Sequence, residues 1–149
     1  MNESSMLNPE DVRHQAIENR VTQHPAAVDE ASVELWELVA VRLTVLIGEG
    51  GFLPLYGRSV YLTRQRFFWL APPTLSIKQT GSRQRFGSLK DSLYTQMQLE
   101  NNGEALAGST ALFITFFDLL AGLIGETLTL NLLQTAWNTD VPEKADKEI

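Results

Sequence analysis

Leu46-Ile47-Gly48-Glu49 returns 77 positions later as Leu123-Ile124-Gly125-Glu126, and the reading of these two joints decides the fold. The same offset aligns Leu43 with Leu120, Leu53 with Leu130, and Leu55 with Leu132. Each copy reads as an apolar helix, a glycine joint and a second leucine-rich helix, the pattern of two related helix–hinge–helix units. Neither unit has enough polar surface to stand alone, so the two are expected to pack against each other with approximate twofold symmetry. The competing reading is coincidence, because leucine-rich helices resemble each other at many offsets.

Working outward from the first joint, Val33, Trp36, Leu38, Val39, Ala40, Leu43, Leu46 and Ile47 recur at three- and four-residue spacing, which predicts an amphipathic helix from Asp29. Asp29 and Glu30 sit where acids favour the positive end of the helix dipole, and Gly48, Gly50 and Gly51 end or kink it. A second helix is expected from Phe52 to about Trp69, with Pro54 near its start, where proline sacrifices no needed N–H. Pro72-Pro73 stops it and a loop runs to Gly87. Ser88 caps a third helix through Leu89, Leu93, Met97 and Leu99, and Asn101-Asn102-Gly103 reads as a turn. A fourth helix runs from about Glu104 to Ile124 and a last one from Glu126 to Trp137.

The fold expected is therefore all-α, a bundle of about five helices. Residues 1–27 read as a polar arm whose one weakly helical stretch, from Asp11 to Val21, is either free or docked on the bundle. Residues 28–138 read as the helical domain, with repeat one at about 29–70 and repeat two at about 104–138, and residues 139–149 as a charged, disordered tail. At 149 residues and 44% apolar content, one domain with a real core is the natural size.

Composition removes several chemistries. There is no cysteine, so thiolate catalysis, disulfides and cysteine-held metal are excluded. The only histidines, His14 and His24, lie in the arm, which leaves the predicted core without a base for nucleophilic catalysis and without Glu-x-x-His metal spacing. Gly48-Glu49-Gly50-Gly51 lacks the Lys-Ser/Thr of a phosphate loop and follows no strand. No catalytic, cofactor or metal residues are assigned. The polar start carries no secretory signal pattern, and a cytoplasmic location is expected. The apolar run from Ala105 to Ile124 is long enough to span a bilayer, but Asp118 at its middle would cost about 2.5–3.5 kcal/mol there, so a buried helix is expected instead.

Three acids need roles. Glu49 and Glu126, paired by the offset, suggest twin carboxylates for acid–base work, but a Glu just past a helix-ending glycine more simply caps the next helix. Asp118 aligns with Val41 and is expected either on an exposed stripe or paired with Arg42 or Arg58. An acid-using enzyme built on Glu49, Glu126 and Asp118 is the weakest functional reading.

Charge is lopsided. From Gly50 to Lys90 there is no acid, yet seven of the chain's 12 cations fall there, while the net charge is −6. Arg58, Arg64, Arg66, Arg83 and Arg85, with Phe67, Phe68 and Trp69, are the candidate interaction residues. Arginine beside an aromatic suits phosphate contact and base stacking, but the acidic whole steers nucleic acid poorly. Pairing with the acidic helix around Glu30, Glu34 and Glu37, within or between subunits, accounts for it better. Phe67 to Leu70 offers apolar groups on every side of one turn, more than a single domain readily buries. These features predict a non-enzymatic interaction or scaffold module, most simply a homodimer, with an acidic protein as a further partner. The alternative is a small-ligand or sensory domain with an apolar pocket between the repeats.

Overall fold

Gly48 and Gly125 turn the chain back on itself through a single non-helical residue each, and both have backbone angles almost closed to L side chains: φ 83°, ψ 165° and φ 96°, ψ 159°. The computed structural model describes residues 8–24, 27–70 and 93–137, and among them every regular element is helical. In chain order these are α1 (Pro9–Val21), α2 (Val28–Ile47), α3 (Glu49–Thr63), α4 (residues 93–98), α5 (Asn102–Ile124) and α6 (Glu126–Trp137). The fold is an all-α helical bundle.

Local chemistry sets the ends. The side chains of Asn8 and Asn101 accept the N–H groups of Asp11 and Glu104 at 2.8 and 2.7 Å, capping α1 and α5. Pro9 occupies the first turn of α1 and Arg20 its last. Both joints close alike, Gly48 N–H donating to Thr44 and Gly125 N–H to Ala121, at 2.9 Å each.

Two boundaries differ from the sequence expectation. The second helix occupies Glu49–Thr63 rather than 52–69, because Gly48 alone makes the break and Gly50-Gly51 continue helically into Pro54. Pro54 therefore lies inside the helix, where it withholds the N–H that the Gly50 carbonyl would otherwise accept. After Thr63 the chain leaves in tight turns that bury Leu70, and Trp69 reaches back to donate to Glu104 at 3.1 Å. A Cβ on Gly108 would lie 2.3 Å from the Trp69 ring, so only glycine admits this approach. The second difference is in the arm, whose helix α1 starts at Pro9 rather than Asp11; of the two readings of the arm it is the docked one, with Ile17 and Val21 in the core. The expected cap at Ser88, with Leu89, falls outside the described residues, as does the tail from 138.

Packing is cyclic: α2 lies on α3, α3 on α5, α5 on α6 and α6 on α2, with α2 and α5 also meeting across the centre. Both hairpins are tightly folded. Trp36 of α2 stands edge-on to Tyr56 of α3 at 5.0 Å, and Phe113 of α5 edge-on to Trp137 of α6 at 5.1 Å. At the centre, Trp36 stacks on Phe113 at 4.2 Å, and Ser32 and Ser109 share a buried hydrogen bond of 2.6 Å. Each of these central pairs joins residues 77 apart. They lie one turn apart on both helices, so α2 and α5 run in the same direction where they meet.

Burial follows the same offset. Val28, Ser32, Leu35, Trp36, Val39, Ala40 and Leu43 are the buried residues of α2, and each position 77 further on is buried in α5. The buried Thr129, Leu132, Leu133, Ala136 and Trp137 of α6 correspond in turn to buried residues of α3. Full burial of such large side chains contributes about 1.5–3 kcal/mol each, with about 0.5–1.5 more for well-set ring pairs.

Candidate functional site

Beyond the buried Ile17 and Val21, α1 is held by a charged residue. Arg13 is 3% exposed, and its guanidinium forms a fork on Glu126 at 2.5 and 3.2 Å while also donating to Asp118. Burial works to lower the Arg13 pKa, but the hydrogen bonds to Glu126 and Asp118, with their charges, outweigh it and raise the value. The guanidinium is thus a fixed cation pinning α1 to the start of α6 and the outer face of α5. His14 Nε2 adds a 2.7 Å contact to Asp118 and lies 3.7 Å from Glu10.

The expectations for the acids are revised accordingly. Asp118 is neither simply exposed nor paired with Arg42 or Arg58; its partners are Arg13 and His14. Glu126 gives both carboxylate oxygens to Arg13. Glu49 opens α3, and its side chain lies outside what is described. Chemically the cluster is a clamp, since both carboxylates are committed to cationic donors. Glu10, His14 and Asp118 place one potential metal-ligand atom each within 4.8 Å of one another, but a cation there competes with Arg13 for Asp118.

α1 covers the outer face of α5 and touches α6 and α2. The corresponding face of α2 carries no helix among the described residues. Its outward stripe begins with Glu30 and Glu34 and continues into Leu38, Val41 and Val45, with Val41 64% and Val45 82% exposed. Val41 stands at the position that Asp118 holds on α5.

The α3 side carries the cations. Arg58 is exposed and lies over the Tyr61 ring at 5.6 Å, and Arg66 over Phe67 at 5.5 Å. Arg64 is partly exposed with its Nε lacking an acceptor, and none of the three forms a salt bridge among the described residues. Arg83 and Arg85 lie outside the described residues. Of the aromatic turn, Phe67 and Trp69 are partly buried and Phe68 is 76% exposed.

No family model, curated protein or solved structure matches the chain.

An open groove of about 620 Å³ runs between α1, α5 and the turn after α3, lined by Glu18, Thr22, Arg66, Phe67, Leu106 and Ile114 among others. Its walls come from Arg66 and Phe67 after α3, from α5 and from α1, while at the bundle centre Trp36, Phe113 and Phe116 are packed ring against ring. α5 is long and apolar enough to cross a membrane by length and composition, with a mean hydropathy of 1.8; Leu112, Phe113, Phe116, Phe117 and Leu120 on it are buried in the bundle.

Sequence reading missed Arg13 and His14. The signal was present: Asn8-Pro9 is a helix start, and Arg13, Ile17 and Val21 recur every four residues to make one buried face.

Proposed function

We propose that this chain is a non-enzymatic helical interaction module that self-associates through the outer face of α2. The observation that carries this reading is the stripe Leu38-Val41-Val45, exposed on a bundle whose equivalent stripe on α5 lies under α1. Large aliphatic side chains aligned on one helix face cost solvation free energy until something covers them. Exposed Phe68 adds to the apolar surface on offer.

The internal repeat belongs to the same proposal. The matched glycine joints, the seven matched burial positions and the central contacts between residues 77 apart are the features that two related hairpins about a pseudo-twofold axis would produce. On that reading α1 is an addition to the second hairpin only, with Asp118 and Glu126 as its anchors. The first hairpin keeps Val41 in place of Asp118, and Val41 and Val45 are exposed there. A cytoplasmic setting and an acidic protein as a further partner of the α3 arginines complete the proposal.

Native mass spectrometry of the full chain tests this. A dimer free of added mass is expected. A monomer at all accessible concentrations refutes self-association, and a stoichiometric small-molecule adduct transfers the function to ligand binding, with the groove beside Phe67 as its place.

A further inference from the structure

Resting on the self-association reading, we infer that the second copy docks hairpin on hairpin, its α3 lying along α2 of the first. Charge and shape select this arrangement. The α2 stripe is acidic at its beginning, Glu30 and Glu34, and aliphatic toward the joint, Val41 and Val45. The outer face of α3 runs the opposite way, from small apolar groups at Gly50 and Pro54 beside the joint to the exposed Arg58, with exposed Gln65 just beyond the helix.

α3 folds back on α2 from Gly48, so the two helices run in opposite directions side by side, with Trp36 of α2 against Phe52 and Tyr56 of α3. A twofold axis along the hairpin places α3 of the partner over α2 at the same height and antiparallel to it. The acidic start of α2 then faces Arg58 of α3 in the other copy. Val41 and Val45 meet the stretch from Gly50 to Pro54, where absent side chains let the backbones approach. Both contacts occur twice, as an isologous interface requires.

Two alternatives fit less well. Pairing α2 with α2 alone uses a stripe of about 22 Å, from 1.5 Å per residue, which is too narrow for the roughly 800 Å² per partner of a stable complex. It also leaves the α3 arginines without acids. Within one copy, Arg58, Arg64 and Arg66 form no salt bridge with Glu30 or Glu34 among the described residues.

The test is a charge swap at exposed positions. One chain carries E30R with E34R, and a second carries R58E with Q65E. Each is examined by sedimentation equilibrium alone and mixed, with circular dichroism to verify helicity. Each variant alone is expected to weaken its homodimer about tenfold or more, since like charges then oppose at both contacts. The mixture is expected to recover a heterodimer, because basic α2 meets acidic α3 on one side and basic α3 meets acidic α2 on the other. A dimeric wild type whose variants dimerise unchanged, or whose weakened variants do not recover on mixing, overturns this interface while leaving self-association standing. A monomeric wild type overturns both.

Discussion

Replacing Arg13 by Met keeps the aliphatic stem that packs beneath α5 and removes the guanidinium that binds two helices at once. The wild-type side chain makes charge-assisted contacts to both Glu126 oxygens and to Asp118. Breaking a fully buried pair costs about 3–5 kcal/mol, and losing an exposed one about 0–1. Here the arginine side chain is 4% exposed while the Asp118 and Glu126 side chains are 39% and 27% exposed. Water therefore takes over part of the carboxylates' hydrogen bonding, and the expected loss is about 2–3 kcal/mol, between those limits. Urea unfolding followed by circular dichroism measures it by linear extrapolation. Asp118→Val, which puts the residue of the corresponding α2 position on α5, leaves Glu126 to hold Arg13 and is expected to cost about 1 kcal/mol. The double variant should lose less than the sum, by about 1 kcal/mol of coupling. An Arg13→Met chain within about 0.5 kcal/mol of wild type, the scale of ordinary surface changes, refutes the clamp.

Other outcomes follow from the joints and the core. Gly48→Ala and Gly125→Ala are each expected to cost about 1–3 kcal/mol, from backbone strain alone, because no atom within 4 Å would meet the new methyl group; equal stability to wild type by urea titration contradicts the positive-φ joints. Burial raises the Tyr56 pKa above its ordinary value of 10.0, so the folded state holds that proton after the unfolded chain has released it. Stability is full below pH 10 and falls above it by roughly 1.4 kcal/mol per pH unit until the raised value is reached. Tyr56→Phe should flatten that alkaline decline, and an unchanged slope in alkaline unfolding curves counts against the burial.

What the sequence reveals of this fold depends on which physical signal is local. Gly125 and the helix Glu126–Trp137 could be read because a glycine between two leucine-periodic runs needs no tertiary information. The start of α3 could not, because Gly50 and Gly51 have poor helix propensity and are carried into the helix by the packing of Phe52 and Leu53. α1 was underestimated for a related reason: its buried face is short, and its strongest anchor is a charged residue that periodicity counts as exposed. The partners of Asp118 were likewise invisible, since Arg13 lies 105 positions away and on a helix whose docking no local rule predicts. Leu38 and Leu46, counted with the apolar face of α2, are exposed, Leu38 on its outer stripe and Leu46 beside the joint. The even mixture of leucine and valine around that helix hides the difference between a core position and an uncovered one.

Sedimentation equilibrium of the full chain beside Val41→Asp with Val45→Asp tests the central claim, that the outer face of α2 is an association surface. Both side chains are exposed, so the substitutions leave the folded monomer intact, and unchanged helicity verifies that. The account predicts a wild-type dimer and a monomeric variant; a variant that dimerises as tightly as wild type contradicts it.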